Sequence, residues 1–253
     1  MRDDPEKKNT DASPCIRVVF FDVDGTLLST EENRVPRSTR RALKELRKRG
    51  IKTVVATARH IHRLEEMPVQ NIEFDNYITL NGQIICDADH KMYAGTPIDR
   101  GEMEILAHMF DAKKIPFVMV NEHGDYINYV NETVIETQAK FNDKVPEVGE
   151  YGGEDVFQIM AFATEKEKEM LDEFLDECSI TSWSDTGIDI VPRLGGKISG
   201  IQLYLDNNGI DRSEAMAFGD GENDIPMMKE AGISIAMSIA GERVKAAADY
   251  VTL

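Results

Sequence analysis

The sequence predicts an α/β protein built on a parallel sheet. Short apolar runs rich in β-branched residues recur along the chain, and amphipathic segments of helical spacing separate them. Four of these segments end in, or lead into, polar groups able to do chemistry. In a parallel sheet such ends share one rim, where ligands sit beyond the carboxyl ends of the strands.

The first element is Val18-Val19-Phe20-Phe21, a run that reads as a buried strand, followed by Asp22-Val23-Asp24-Gly25-Thr26. An unpaired carboxylate at the end of a buried strand costs several kcal/mol. Two acids one residue apart therefore point to a cation, a proton relay or a covalent nucleophile. Taken alone, the Asp-Gly pair is also an ordinary turn. The second element, Lys52 to Ala56, ends in the hydroxyl of Thr57 and follows an amphipathic helix over 37–49 that Gly50 stops. The third is Lys197, ahead of a helical segment ending near Asn208. The fourth is Ala215-Met216-Ala217-Phe218, which runs into the acidic loop Gly219-Asp220-Gly221-Glu222-Asn223-Asp224.

In that order, DVDGT, a strand-ending Thr, a lone Lys and GDGEND resemble the four motifs of the haloacid dehalogenase superfamily. The branch most similar is the Cof-type phosphatases, whose cap is inserted between the second and third motifs. Asn81-Gly82, where such a cap begins, and the stretch Lys245 to Thr252 match as well. The resemblance runs from about Ile16 to the C-terminus and implies a Rossmann-like doubly wound parallel core with an inserted α+β cap. Two places depart from the branch: Ala58 follows Thr57 where Gly is common, and Met237-Ser238-Ile239-Ala240 stands where Met-Gly-Asn-Ala is usual. The branch also often continues with one more helix past the point where this sequence stops, Leu253.

The chemistry follows from the phosphate ester, which resists attack because its own oxygens repel a nucleophile, so charge neutralisation and positioning supply most of the catalysis. Asp22 is the candidate nucleophile, giving an aspartyl-phosphate that water hydrolyses. Asp24 is the candidate general acid and base. To donate a proton it must be neutral near pH 7, well above its reference value of about 3.9, and burial among carboxylates would push it that way. Hard oxygen ligands beside a phosphate point to Mg²⁺. The resemblance implies side-chain ligands from Asp22 and Asp220, the backbone carbonyl of Asp24, and Asp224 as a further or outer ligand. It also implies that Thr57 and Lys197 hold phosphoryl oxygens, that Asn223 orients Lys197 or the phosphate, and that Asn81 touches substrate. His60 and His62 tempt a catalytic reading, but Asp24 already fills that role.

The expected division is a disordered tail over 1–14, a core over 15–82 and 187–253, and a cap over 83–186. Within the cap, 83–98 reads as a hairpin around Ala88-Asp89-His90, and 101–114 as an amphipathic helix. Residues 116–120, 156–163 and 181–184 read as strands. Thr164 opens a capping box with Glu167, and the helix after it carries Met170, Leu171, Phe174, Leu175 and Cys178 on its apolar face. Closing a cap would exclude water and supply contacts to the leaving group. The polar run Asn121 to Asp125 could face substrate or be a solvated turn.

A net charge of −17 argues against nucleic acid or a basic membrane face. Three widely spaced cysteines, Cys15, Cys86 and Cys178, offer no zinc-like pairing and suit a reducing cytoplasm. No apolar run approaches the length of a membrane span. The reading is a cytoplasmic Mg²⁺-dependent phosphatase acting on a small phosphorylated metabolite, a sugar phosphate by analogy. Phosphomutase and non-catalytic binding protein remain the alternatives, and the oligomeric state is open.

Overall fold

A computed structural model describes residues 15–29, 32–140 and 144–253. The expected tail over 1–14 lies outside the described residues. The first sheet has eight strands in the order β13-β12-β11-β1-β2-β3-β4-β5. These are β1 (Val18–Phe21), β2 (Lys52–Ala56), β3 (Asn76–Thr79), β4 (Ile84–Asp87), β5 (Met92–Gly95), β11 (Ala215–Gly219), β12 (Ile233–Ala236) and β13 (Tyr250–Val251). Pairing is parallel from β13 to β3 and antiparallel at β4 and β5.

β1 sits between β2 and β11, and its four residues are buried. Val18 and Phe20 join one cluster with Ile201, Tyr204 and Leu205 of α6 (Lys197–Asn208). Val19 and Phe21 join another with Leu43 and Leu46 of α1 (Arg37–Lys48). Helices on both faces explain why this strand is a continuous apolar run rather than an alternating one.

The second sheet has the order β7-β6-β8-β10-β9: β6 (Phe117–Asn121), β7 (Gly124–Ile127), β8 (Gln158–Ala161), β9 (Cys178–Ser184) and β10 (Gly187–Pro192). All of its pairings are antiparallel. One face carries Phe117, Met119, Ile159, Ile188 and Ile190 against α3 (Arg100–Ala112) and α5 (Glu165–Phe174). The other carries Val118 and Val120, which share a cluster with Leu80, in the turn after β3, and Ile84 of β4.

The two sheets divide the chain elsewhere than the expected boundaries at 82 and 187. The hairpin over 83–98 forms as β4 and β5, but it extends the first sheet through β3. The strand after Gly187, assigned above to the core, is β10 and lies inside the second sheet. A hairpin's local pattern is satisfied at either edge, and only partner strands decide which one it joins.

The capping box at Thr164 forms on α5, but the helix stops at Phe174 and Cys178 opens β9. Met170 and Phe174 are exposed, while Leu171, Leu175 and Cys178 of that expected face are buried, the last of them from β9. Between α1 and β3 lies the short α2 (Ile61–Glu65); a second short helix, α7 (Ile225–Glu230), follows the acidic loop, and α8 (Glu242–Ala247) precedes β13. The remaining helix, α4 (Glu132–Lys140), follows β7. Among the described residues no helix is long and apolar enough to cross a membrane.

Candidate active site

The site forms where β1, β2 and β11 end together. Asp22 continues the ladder by one residue, its N–H donating to Phe218 O at 3.0 Å, and its side chain is buried. The chain then turns at Gly25, whose φ of +84° favours glycine. A side chain there would also collide with the carboxylate of Asp220: an added Cβ would lie 2.2 Å from Oδ2. Glycine thus lets the acidic loop close over the first turn, where Thr26 Oγ1 donates to Asp220 Oδ1 at 2.9 Å.

Asp224 is fully buried and both of its oxygens are engaged. Oδ2 accepts from the N–H groups of Asp220 and Gly221 at 3.0 and 2.9 Å, which shapes the loop. Oδ1 accepts from Lys197 Nζ at 2.6 Å, and the same ammonium donates to Asp22 Oδ1. Lys197 reaches this point because α6 approaches closely. Gly200 of α6 packs on Ile78 and Gly82, leaving no room for a Cβ, and Gly196 before the helix has a φ of +100°.

Electrostatics follow from burial. Burial pushes the Asp22 carboxyl up to about 7 against the opposing pull of Lys197. Burial also raises Asp220, with Thr26 opposing. Burial pulls Lys197 down, yet the carboxylates of Asp22 and Asp224 outweigh it and the ammonium ends above its ordinary value. One ammonium thus faces three carboxylates, those of Asp22, Asp220 and Asp224, which present oxygens within 4.8 Å of one another. The excess negative charge, the all-oxygen donor set and the Gly25 cradle fit a hard divalent cation.

Thr57 is buried at the end of β2, and its hydroxyl accepts from the N–H of Arg59 at 3.2 Å. Its backbone oxygen accepts from Asn81 N at 3.0 Å, while Arg59 O accepts from Leu80 N at 3.1 Å. These bonds hold Leu80 and Asn81 at φ of +49° and +52°, a conformation that costs L-residues of order 1–3 kcal/mol each. Asn81 Oδ1 in turn accepts from Asn223 Nδ2 at 3.3 Å. Expected to orient Lys197 or the phosphate, Asn223 bonds in the structure to Asn81.

Asp24 differs most from its expected setting. Its side chain is 51 % exposed, so the burial invoked above is missing. Its two oxygens accept from Arg59 Nε at 2.7 Å and Nη2 at 3.0 Å. Nothing local in the sequence marks Arg59, two residues after Thr57, as the partner of Asp24. His60 is buried and structural: Nε2 lies 3.0 Å from Asn121 O, Nδ1 accepts from His62 N, and burial lowers its affinity for a proton.

Comparison with known proteins now decides the family. The model for haloacid dehalogenase-like hydrolases matches residues 19–253. The chain belongs to this family. It is 34 % identical to the subclass IIB sugar phosphatase BT4131, with a TM-score of 0.73 and 93 % of each chain covered. With the phosphatase BT1666 of Bacteroides thetaiotaomicron it shares 29 % identity and a TM-score of 0.79, over 98 % of this chain and 93 % of that one. It is 24 % identical over 239 residues to YcsE of Bacillus subtilis (strain 168), a 5-amino-6-(5-phospho-D-ribitylamino)uracil phosphatase, covering 94 % and 90 % of the two chains. This member of the family is a hydrolase acting on phosphate esters.

Proposed function

We propose that the protein is a cytoplasmic Mg²⁺-dependent phosphatase that hydrolyses a small phosphomonoester, a sugar phosphate, through an aspartyl-phosphate on Asp22. The observation that carries this is the meeting of Asp22, Asp220, Asp224 and Lys197 at the strand ends. Asp22, Asp220 and the backbone carbonyl of Asp24 would hold the ion, with Asp224 fixing the loop and Lys197. When bound, Mg²⁺ neutralises phosphoryl charge and polarises the phosphorus–oxygen bond.

The chain's own groups do the rest. Asp22 attacks phosphorus while Lys197 and the Thr57 hydroxyl hold phosphoryl oxygens, and the Asn81–Asn223 pair borders them. Asp24 passes a proton to the leaving oxygen and then takes one from the attacking water, regenerating Asp22. The second sheet acts as the cap, its Val120 face turned toward Leu80. The sugar phosphate rests on the likeness to BT4131, a sugar phosphatase.

The test is phosphate release from a panel of sugar phosphates, in Mg²⁺ and in EDTA, by the wild type and Asp22→Asn. Release that needs the metal and vanishes in the variant supports the reading. Release that survives EDTA or the substitution overturns it.

A further inference from the structure

A cavity of about 390 Å³ lies between the segment after β2 and the inward face of the second sheet. Val120, Gln158 and Met160 line it from the sheet, and Ala58, Arg59, His60, His62 and Arg63 from the core. Its lining is richer in basic than in acidic side chains, the reverse of the whole molecule. Arg59 and Arg63 line it, with Asp125 as its one acidic group among the described residues. Three of the chain's five histidines, His60, His62 and His123, line it too, in a protein of net charge −17. Its position is also defined: the guanidinium of Arg59, part of its wall, holds both oxygens of Asp24.

We propose that this cavity takes the leaving portion of the substrate and selects one that carries a second anionic group, read by Arg59 and Arg63. The inference rests on the phosphatase reading above, in which Asp24 serves the leaving oxygen. A group bonded to that oxygen extends away from Asp22, and the Arg59–Asp24 contact ties this side of Asp24 to the cavity. The half-buried Arg63 guanidinium in this concave wall favours planar or tetrahedral oxyanions through paired hydrogen bonds, and Arg59, whose Nε and Nη2 hold Asp24, lies beside it in the wall. In a strongly acidic protein such a wall repels the substrate less than the surrounding surface does, and so focuses an anion there. His60 is not a ligand in this scheme, because both ring nitrogens are engaged. Its bond to Asn121 O ties the turn after β6 to the core and fixes the cavity's shape.

The second anion is a carboxylate or a phosphoryl group, and matched esters separate the two. We would measure kcat/KM for 3-phosphoglycerate against glycerol 1-phosphate, and for fructose 1,6-bisphosphate against fructose 6-phosphate. The wild type and Arg63→Gln are compared, with 4-nitrophenyl phosphate as a general reporter. The expected result is at least about a tenfold preference for the doubly anionic member of one pair, carried by KM. Arg63→Gln should bring that ratio close to one, and Arg63→Lys should restore part of it. Turnover of 4-nitrophenyl phosphate with no preference in either pair, or with the neutral member preferred, overturns this inference and leaves the phosphatase reading standing. A preference that Arg63→Gln does not change also overturns it. No turnover of any ester overturns the phosphatase reading, and the inference falls with it.

Discussion

Arg59 and Asp24, 35 residues apart in the chain, meet in a two-pronged ion pair at 2.7 and 3.0 Å. The pair joins the two strand-end segments on which the proposed chemistry depends. It also occupies both oxygens of the proposed general acid, so proton donation from either requires the pair to open. Both side chains are about half exposed, at 43 % and 51 %, so the pair contributes little to stability. Arg59→Ala should therefore shift unfolding by under about 1 kcal/mol. Phosphatase kcat/KM should fall by about tenfold to a hundredfold, because Arg59 positions Asp24 and lines the proposed leaving-group cavity. Urea titration and steady-state kinetics on one preparation check both halves.

Lys197 presents the opposite case. It is buried between Asp22 and Asp224, and removing it leaves two carboxylates without their cation. Lys197→Met should destabilise by about 3–5 kcal/mol and abolish turnover. Denaturant unfolding with EDTA present reads the first effect free of metal. A variant as stable as the wild type would contradict the electrostatic account.

What the sequence revealed and what it hid divide along sequence distance. Asp22, Thr57 and Asp220 were legible because each follows an apolar run, and the burial of a strand and the polarity of its end are local properties. Lys197 was legible mainly through family resemblance, since nothing nearby marks a lysine that α6 buries. The surroundings of Asp24 were not legible. Its local neighbours suggest burial, but the deciding contact comes from Arg59 on another strand end. Likewise the β4–β5 hairpin was visible as a hairpin, but β3 decides which sheet it extends. The break after Phe174 was hidden because Leu175 and Cys178 are buried whether they sit on a helix or a strand.

Mg²⁺ should act on folding as well as on turnover. A cation that binds the folded cluster of Asp22, Asp220 and Asp224 stabilises by about 2.7 kcal/mol at a hundredfold excess over Kd. Thermal melting should therefore rise in Mg²⁺ over EDTA for the wild type, and Asp220→Asn should lose most of the rise. Equal melting in both buffers for the wild type would contradict the assignment of the cluster.

Asp189, on β10, is a half-buried acid away from the cluster, and its Oδ1 is buried with no hydrogen-bond partner among the described residues. Burial pushes its carboxyl up to about 6, against Gln158 and Trp183. The folded state then holds the proton more tightly than the unfolded one. Stability from this group is complete below the unfolded value of 3.8 and is lost as pH rises to about 6. Asp189→Asn should thus gain on the order of 2 kcal/mol over the wild type at pH 7, and little at pH 4. Melting curves of both proteins across that range check it, and a gain independent of pH would contradict it.

The proposed mechanism turns on Asp22 carrying the phosphoryl group. The most direct measurement is acid quenching during a single turnover, followed by mass spectrometry of the peptide containing Asp22. One added phosphoryl group should appear on Asp22 early in the turnover, be gone by its end and never form in Asp22→Asn. Phosphate released with no phosphorylated peptide at any time, or turnover retained in Asp22→Asn, would contradict it.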